Sequence, residues 1–433
     1  MIASISGIRG KLNEDISLSD FSRFSGNFAS GAESKDFLLG TDTRGTGDVI
    51  KRAVVGALLA QGVRVFDLGI LSTPALFRES LVTGSPAVMV TASHNPPDWN
   101  GLKFIVQGRG IRQDELSSIV SDKPLKGKKF DGSFVFKKRA ESYERELLHR
   151  FGKGRFDGIR VALDLGGGAG AMHAPKVLRT TGCEVITIND TPGVFDRTID
   201  PVADPLTLLQ RVVRSDDCDV GFAFDCDGDR LVLVDDQGKK RSGDFMLTLA
   251  LSELLKGSAD RRVVVSVDTT VAVEELVKSL DGEVTRSKVG EANVIQTMLG
   301  KGATIGGEGS SGGLIDSTFN NCRDSMVAAM TILQAIKRDG RTAFDVVKSY
   351  HQTRVALRLP PKRALKGLSR LKRTYQDSDY LDGVKIKFSA RSWVLIRPSG
   401  TEDIVRVSAE APTQKESEKI ASSFSKKLVE LSR

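Results

Sequence analysis

The feature that most constrains the fold is a pattern that occurs three times along the 433-residue chain. In residues 37–69, 159–190 and 262–290, an apolar strand runs through an aspartate (Asp42, Asp164 or Asp268) into a helix, a glycine and a second strand. Strands that alternate with helices predict a parallel sheet covered by helices. Three copies of the pattern predict three similar α/β units.

A further short strand follows in each unit and ends in a polar loop. "AVMV" leads into "TASHNPP", "DVGFAF" into "DCDGDR" and "ATIG" into "GEGSSGG". In open α/β sheets, ligands bind beyond the carboxyl ends of the strands. The three loops are therefore expected to converge on one site between domains.

The C-terminal part of the chain has a different pattern. "VKIKF", "SWVLIR" and "IVRVSAE" alternate like antiparallel strands, and an amphipathic helix follows from about Thr413 to Leu431. This predicts a smaller α+β domain, with Pro360–Arg373 as a linker into it. The predicted fold is three similar α/β domains with mixed, mainly parallel sheets, followed by this fourth domain. The predicted domain ranges are 1–150, 151–255, 256–360 and 361–433.

Composition narrows the class of protein without identifying a ligand. There are 63 basic and 55 acidic residues, a net charge of +8, which suits a nucleic acid or a small anionic substrate. The four cysteines have no metal-binding spacing, and we expect them to be free thiols in a reducing compartment. The N-terminus lacks a signal-peptide core, and no stretch reaches the ~18 apolar residues of a membrane span. We therefore predict a cytoplasmic protein.

The loop "DCDGDR" predicts a metal site. In an extended loop, the two-residue period would turn Asp225, Asp227 and Asp229 to one side, where the carboxylates repel unless a cation lies among them. Oxygen ligands suit Mg²⁺. An EF-hand is excluded because Arg230 occupies the sixth position, which must be glycine.

Two further loops have the composition of ligand-binding segments. In "RPSGTED", Arg397 can bind a phosphate with two hydrogen bonds, and Ser399, Thr401 and the backbone around Gly400 can complete an anion site, although Pro-Ser-Gly is also a common turn. In "GEGSSGG", Glu308 and the adjacent hydroxyls suit sugar hydroxyl groups, although a flexible loop fits equally well. The G-x-G-x-x-A stretch from Gly166 to Ala171 is interpreted as a tight turn, because the other two units lack it.

Ser93, in "TASHNP", is interpreted as an acceptor of a phosphoryl group. The chain lacks G-x-S-x-G, so Ser93 is not in a hydrolase nucleophile elbow. His94 is its direct neighbour, and adjacent side chains in an extended loop point apart, which disfavours a Ser–His proton relay. A metal site and a phosphate site elsewhere in the chain favour phosphoryl transfer.

Taken together, these motifs resemble those of the α-D-phosphohexomutases. "TASHNP" with "NGLKF" is similar to the phosphoserine loop of that family, "DCDGDR" to its metal loop, "GEGSSGG" to its sugar loop and "RPSGTED" to its phosphate loop. Ser6–Gly10 and Asp42–Arg44 also match. The motifs occur in family order over nearly the whole chain, and the closest likeness is to archaeal-type members. The resemblance implies three related α/β domains, a smaller fourth domain and an active site in the central cleft.

The resemblance also implies a reaction. Phosphorylated Ser93 gives its phosphoryl group to a sugar monophosphate, and the sugar 1,6-bisphosphate, which also serves as activator, reorients and returns its other phosphate. One Mg²⁺ per active site is expected on Asp225, Asp227, Asp229 and Ser93. The resemblance further implies that Arg9 and Lys103 flank the reacting oxygen and that Lys103 or His94 is the general base. The residues implied to bind the sugar phosphate are Arg230, Glu308, Ser310 and Ser311. Those implied to hold the phosphate that is not transferred are Arg397, Ser399, Gly400 and Thr401.

Several alternatives stay open at this point. The sugar loop has two serines where many family members have one polar residue, so either Ser310 or Ser311 fills the hydroxyl-binding role. Glucosamine phosphate is the expected substrate, with mannose or glucose phosphate as alternatives, and the enzyme is a monomer or a homodimer. Hypotheses from other classes are a metal-dependent phosphatase and a nucleic-acid-binding protein. Binding to nucleic acid would leave the three aspartates unexplained, and the basic runs of the chain contain no interleaved aromatic residues. No nucleic acid partner is therefore expected, and no membrane partner is expected either.

Overall fold

The computed structural model describes residues 1–122, 131–136, 141–348, 350–399 and 404–433. These residues divide into two compact units. The first unit comprises Met1–Glu253 and Ser311–Phe344, and the second comprises Leu254–Ser310 and Asp345–Arg433. Among the described residues, no helix is both long and apolar enough to cross a membrane.

A mixed sheet forms the N-terminal part of the first unit. Its strands are β1 (Ile2–Ser4), β2 (Gly7–Lys11), β3 (Asp36–Thr41), β4 (Arg64–Ile70), β5 (Ala87–Val90), β6 (Trp99–Val106), β7 (Arg109–Gly110) and β8 (Ser133–Phe136). The helices are α1 (Leu18–Ser30), α2 (Gly47–Leu59), α3 (Thr73–Thr83), α4 (Gln113–Ile119) and α5 (Glu141–Phe151). The strand order is β1-β2-β6-β5-β3-β4-β8, with β7 paired to β6.

The direction of the strands in this sheet decides which residues meet. β3 runs parallel to β5, whereas β6 runs antiparallel to both β5 and β2. In this register Lys103 lies opposite Met89, and Arg9 lies opposite Gly101. Residues of β2 and β6 therefore come close to the loop that follows β5, although they are far from it in sequence.

The second sheet has the order β10-β9-β11-β12. Its elements are β9 (Arg160–Asp164), α6 (Ala174–Thr180), β10 (Glu184–Ile188), α7 (Thr207–Ser215), β11 (Val220–Phe224), β12 (Leu231–Val234) and α8 (Gly243–Lys256). β9 pairs parallel with β10 and β11, and β12 is antiparallel to β11. The "DCDGDR" loop joins these last two strands, and both are fully buried.

The third repeat contributes to both units. In the second unit, β13 (Arg262–Ser266) pairs parallel with β14 (Glu283–Ser287) and β15 (Ile305–Glu308), with α9 (Ala272–Ser279) and α10 (Glu291–Lys301) between the strands in sequence. The first unit contains β16 (Gly313–Asp316) and α11 (Ser325–Asp339). Asp324 caps α11 by accepting hydrogen bonds from Met326 N at 3.1 Å and Val327 N at 3.0 Å. Such a cap contributes about 0.5–2 kcal/mol to the stability of the helix or the protein.

The C-terminal sheet is antiparallel, as the sequence predicts. Its elements are β17 (His351–Arg358), α12 (Pro361–Thr374), β18 (Val384–Ser389), β19 (Ser392–Pro398), β20 (Ile404–Ala411) and α13 (Gln414–Leu431), in the strand order β17-β20-β19-β18. The prediction that Pro360–Arg373 is a linker is wrong. Leu368 and Leu371 of α12 are buried in the core of this domain, because apolar residues recur at helical spacing among the basic ones.

Candidate active site

Ser93 lies fully buried in the loop between β5 and β6. Its backbone has φ +53°, in the left-handed region, where a residue other than glycine costs about 1–3 kcal/mol. The N–H of Ser93 donates to Thr91 Oγ1 at 2.8 Å. Its hydroxyl donates to Asp225 Oδ2 at 3.4 Å, so the serine faces the "DCDGDR" loop.

The three aspartates of that loop lie together and are buried. One carboxylate oxygen from each of Asp225, Asp227 and Asp229 falls within 4.8 Å of the others. The loop is not extended, so the two-residue period does not apply to it. The segment is a turn around Gly228 (φ +66°), because Asp225 Oδ1 accepts hydrogen bonds from the N–H groups of Asp229 at 3.0 Å and Arg230 at 3.1 Å. The turn, rather than a two-residue period, brings the carboxylates together.

Three cationic side chains surround this cluster. Lys103 Nζ donates to Asp227 Oδ2 at 2.6 Å and to Asp229 Oδ2 at 2.8 Å. Arg323 Nη2 donates to the same Asp229 oxygen at 2.9 Å. Arg230 Nε lies 4.0 Å from Asp225 Oδ2. The buried negative charge is thus partly compensated by the protein itself.

The surroundings shift the pKa values of Asp225 and Asp229 in opposite directions. Burial raises the pKa of Asp225 well above its usual range, and the neighbouring Asp229 and Asp227 charges raise it further. Burial also acts to raise the pKa of Asp229, but Arg323, Lys103 and Arg230 outweigh it and hold that pKa below the usual range. The surrounding cations therefore favour the ionised form of Asp229.

The residues of the loop fit a hard divalent cation. Asp227 Oδ1 and Asp229 Oδ1 are buried and have no hydrogen-bond partner. A buried carboxylate oxygen without a partner is costly, and a cation ligated by oxygen removes that cost. Three carboxylates and the Ser93 hydroxyl form the kind of donor set that Mg²⁺ prefers.

His94, Arg230 and Arg9 lie beside the same loops. His94 Nε2 lies 3.3 Å from Arg230 Nη2, while His94 Nδ1 is buried without a hydrogen-bond partner. Burial and the nearby Arg230, Arg9 and Arg323 charges hold the pKa of His94 well below its usual value. Arg230 Nη1 lies 3.3 Å from both carboxylate oxygens of Asp200. Arg9 Nη1 donates to Asn95 Oδ1 at 3.2 Å.

Two residues of this site are absent from the sequence-based prediction. Thr73, at the start of α3, donates through Oγ1 to Asp227 Oδ2 at 2.5 Å and through its N–H to Asp227 O at 2.8 Å. Arg323 directly precedes the cap of α11. A helix start can be recognised at both positions, but no local signal shows that either one faces the aspartates.

The two serines of the sugar loop have different surroundings. Ser311 belongs to the first unit, is buried, and accepts a hydrogen bond from Arg323 Nη1 at 3.2 Å. Ser310 belongs to the second unit and is half-buried. Ser311 is thus tied to the protein, whereas Ser310 is the more accessible of the two.

In the second unit, the end of β15 holds Glu308. The carboxylate is buried, and its Oε1 accepts a hydrogen bond from Gly290 N at 2.6 Å. The next residue, Gly309, donates its N–H to Thr269 Oγ1 at 3.1 Å. The sugar loop is therefore anchored to the loops that follow β13 and β14.

Arg397 and Ser399 lie at the end of β19 in the same unit. Arg397 Nη1 lies 3.7 Å from Asp382 Oδ2, and Arg397 pairs across the sheet with Arg406 of β20. Ser399 N donates to Ile404 O at 2.8 Å. Gly400 and Thr401, predicted to complete the phosphate site, lie outside the described residues.

The tight turn predicted at 166–171 agrees with the structure. Gly166 and Gly167 have φ of +54° and +64°. A Cβ atom added to Gly168 would lie 2.8 Å from the carbonyl oxygens of Asp225 and Cys226, so this turn packs directly against the metal loop. Its glycines are explained by close backbone packing rather than by a bound dinucleotide.

Comparison with known proteins places the whole chain in one family. Models of the phosphoglucomutase/phosphomannomutase family match in order: α/β/α domain I at residues 2–123, domain II at 141–238, domain III at 242–353 and the C-terminal domain at 355–427. A Methanopyrus kandleri protein named "Probable phosphoglucosamine mutase" is 33% identical over 97% of this chain and 96% of its own length.

Solved structures show the same fold. A phosphoglucomutase/phosphomannomutase family protein from Burkholderia thailandensis has a TM-score of 0.87 at 23% identity and covers 99% of this chain and 98% of its own. N-acetylphosphoglucosamine mutase from Aspergillus fumigatus, solved with GlcNAc-6P and magnesium, has a TM-score of 0.65 at 13% identity. The match covers 100% of this chain and 96% of that protein's chain. The chain therefore belongs to the phosphoglucomutase/phosphomannomutase family.

Proposed function

We propose that the chain is a phosphohexomutase that interconverts hexosamine 6-phosphate and 1-phosphate through a phosphoserine at Ser93, with glucosamine phosphate as its preferred substrate. One observation carries this proposal: the buried Ser93 hydroxyl lies 3.4 Å from a carboxylate oxygen of the three-aspartate cluster. A serine beside a hard-cation site, in a chain without a hydrolase elbow, suits phosphoryl transfer better than hydrolysis.

In the proposed first half-reaction, the bond between phosphorus and Ser93 Oγ breaks as a bond from phosphorus to a sugar hydroxyl forms. The sugar hydroxyl loses a proton, and Ser93 leaves as an alkoxide that takes up a proton. After the sugar 1,6-bisphosphate reorients, its other phosphoryl group returns to Ser93 by the reverse step. Sugar 1,6-bisphosphate also primes the enzyme, because it can phosphorylate an unmodified Ser93.

The residues of the first unit would carry the chemistry. Asp225, Asp227, Asp229 and Ser93 would hold one Mg²⁺, which would neutralise charge on the transferring phosphoryl group. Lys103 and Arg9 bring positive charge to the same place. Lys103 and His94 are the two candidates for the general base. The contacts favour His94, because Lys103 donates to two carboxylates whereas His94 Nδ1 has no partner.

The residues of the second unit would hold the substrate. Glu308 would accept hydrogen bonds from sugar hydroxyls, together with Ser310, whose partial exposure favours it over Ser311. Arg230, from the first unit, would contact the substrate phosphate or sugar. Arg397 and Ser399, with Gly400 and Thr401, would bind the phosphate that is not transferred. The four domain ranges and the cytoplasmic location inferred from the sequence also remain predictions.

The name of the Methanopyrus relative and the composition of the sugar loop support the proposed substrate preference. No bulky side chain in "GSSGG" can reject a change at C2 of the sugar. An open wall of this kind discriminates by only about 10–200-fold. We therefore expect glucosamine phosphate to be preferred, with conversion of glucose or mannose phosphate as well.

A phosphorylation experiment tests the proposed reaction. Wild type exposed to glucose 1,6-bisphosphate should gain one phosphate by intact mass, at Ser93 by peptide mapping. Ser93→Ala should gain none and lose mutase activity. Ser25→Ala removes another fully buried serine, in α1, and should behave like wild type. An active Ser93→Ala enzyme contradicts the proposal.

Comparing kcat/KM for glucosamine, glucose and mannose 6-phosphates tests the substrate. A preference for glucose or mannose phosphate beyond about a thousandfold exceeds what an open wall supplies and would contradict the assignment.

A further inference from the structure

We propose that Arg44 is a positioning residue for phosphoryl transfer, because its guanidinium group holds the backbone of residues 93–99 and thereby fixes where the Ser93 hydroxyl points. The inference rests on the proposed phosphoserine function of Ser93. It assigns a task to the Asp42–Arg44 segment, which follows β3 and has no role in the reaction described above.

Every N–H of the guanidinium group has an acceptor. Arg44 Nε donates to Asp42 Oδ2 at 3.1 Å. Nη2 donates to the carbonyl oxygens of Ser93 and Asn95, both at 2.7 Å. Nη1 donates to Trp99 O at 3.2 Å and to Pro96 O. These five bonds use all five donors of an arginine, and four of them end on the backbone of one loop.

Burial makes these bonds hard to replace. The side chains of Arg44 and Asp42 are 1% and 0% exposed, so water cannot take over as donor to the loop carbonyls. A lysine could place one ammonium group there, but not a planar fork with donors in five directions. The loop would then lose contacts at several residues at once.

A second arm reaches the same loop from Asp42. Thr91 Oγ1 donates to Asp42 Oδ2 at 2.6 Å and accepts the N–H of Ser93 at 2.8 Å. Arg44 therefore holds the carbonyl side of Ser93, and Thr91 holds its N–H side. Both arms converge on the Asp42 carboxylate.

Ser93 needs such support because of its backbone conformation. Its φ of +53° is one that residues with a side chain rarely adopt, and surrounding contacts must maintain it. If the loop relaxed, the hydroxyl would move away from Asp225 while the metal loop stayed in place, because the five Arg44 hydrogen bonds described above all end on residues 42–99. The loss should appear in the chemical step rather than in substrate binding.

The test uses full-length Arg44→Lys, together with Thr91→Val and Thr91→Ser. We expect kcat to fall about 100-fold in Arg44→Lys with KM unchanged, since a displacement of about 1 Å can cost that much. Thr91→Val removes both hydrogen bonds of the Thr91 hydroxyl and should lower kcat roughly tenfold, whereas Thr91→Ser, which keeps the hydroxyl, should stay close to wild type. The rate at which glucose 1,6-bisphosphate phosphorylates Ser93 should fall in parallel with kcat.

Arg241→Lys is the matched control. Arg241, which is partly buried, also pairs with an aspartate: its Nε lies 2.6 Å from Asp235 Oδ2, and Asp235 follows β12 rather than lying near the phosphoserine loop. The Arg241→Lys substitution should leave kcat unchanged. Because every variant keeps the three aspartates, Mg²⁺ binding measured by calorimetry should weaken no more than it does in Ser93→Ala, and assays at saturating Mg²⁺ separate loop displacement from loss of the metal site.

The outcomes distinguish this inference from the proposed function. If wild type takes up no phosphate on Ser93, the proposed function fails. If wild type is phosphorylated and Arg44→Lys and Thr91→Val turn over as fast as wild type, the positioning role is overturned. It is also overturned if Thr91→Ser is as slow as Thr91→Val, because the hydroxyl would then not be the group that matters.

Discussion

Arg323 Nη2 donates to Asp229 Oδ2 at 2.9 Å, although the two residues are 94 positions apart in the sequence. The same guanidinium donates through Nη1 to Ser311 Oγ at 3.2 Å. Arg323 also contributes to the low pKa of Asp229. A single buried cation thus contacts both a proposed metal ligand and Ser311.

Replacing Arg323 should therefore weaken the metal site. In Arg323→Met, Asp229 loses a donor that orients it, and loss of such an outer partner typically costs about 10–100-fold in metal affinity or activity. We expect the Mg²⁺ concentration for half-maximal activity to rise and kcat/KM to fall by an amount in that range. Arg323→Lys keeps the charge and should lose less. An unchanged Mg²⁺ requirement in Arg323→Met would contradict this role.

The three-aspartate cluster should bind Mg²⁺ directly. Asp227→Asn replaces one carboxylate with an amide, so we expect Mg²⁺ binding measured by calorimetry to weaken and activity to fall. Excess chelator should abolish wild-type turnover, and added Mg²⁺ should restore it. Asp236→Asn, outside the loop, is the control and should bind Mg²⁺ as wild type does. Full activity in excess chelator would show that the aspartates have another task.

Arg397 should matter for substrate binding. Arg397→Ala removes a side chain expected to hold the phosphate that does not react, so KM should rise. Some loss of kcat is also expected, since binding energy from remote groups helps to orient the substrate. Arg373→Ala, which removes an exposed arginine from α12, is the control. If the kinetics of Arg397→Ala match those of wild type, "RPSGTED" is only a turn.

Lys385 should make stability depend on pH. Its ammonium group donates to Val267 O at 2.6 Å and lies 4.1 Å from the ring centre of Trp393. Burial outweighs these contacts and, with the nearby Arg286, lowers the pKa of Lys385 from 10.5 to about 7. Between these two values the unfolded chain binds the proton and the folded chain does not. The free energy of unfolding should therefore rise with pH in this window, by at most about 1.4 kcal/mol per pH unit.

Urea unfolding at pH 7, 8 and 9 measures this effect, with Trp393 fluorescence as the probe in a Trp99→Phe background, since the chain has two tryptophans. Lys385→Met should lose the pH-dependent gain in stability. Lys387→Met, at an exposed lysine of the same strand, should keep it. Equal slopes in Lys385→Met and the parent would rule out Lys385 as the titrating group.

The local signals of the sequence were sufficient for most of the elements. The repeated strand–helix pattern predicted the α/β sheets, and alternating residues predicted the antiparallel C-terminal sheet. The interpretation of Pro360–Arg373 was wrong because basic residues dominate α12 in sequence, while only a few apolar residues, such as Leu368 and Leu371, carry its packing. Charge is visible in composition, but burial depends on the rest of the domain.

The sequence by itself determined which chemical groups form the site, because each candidate loop has an unusual composition and directly follows a strand. Only the tertiary structure decided how these groups meet. The turn at Gly228 gathers the aspartates, and strand order brings Lys103 to them. Arg44 contacts Ser93, 49 positions away in the sequence, and Arg323 contacts Asp229, 94 positions away. Such long-range contacts depend on how sheets and loops pack, which no short window of sequence specifies.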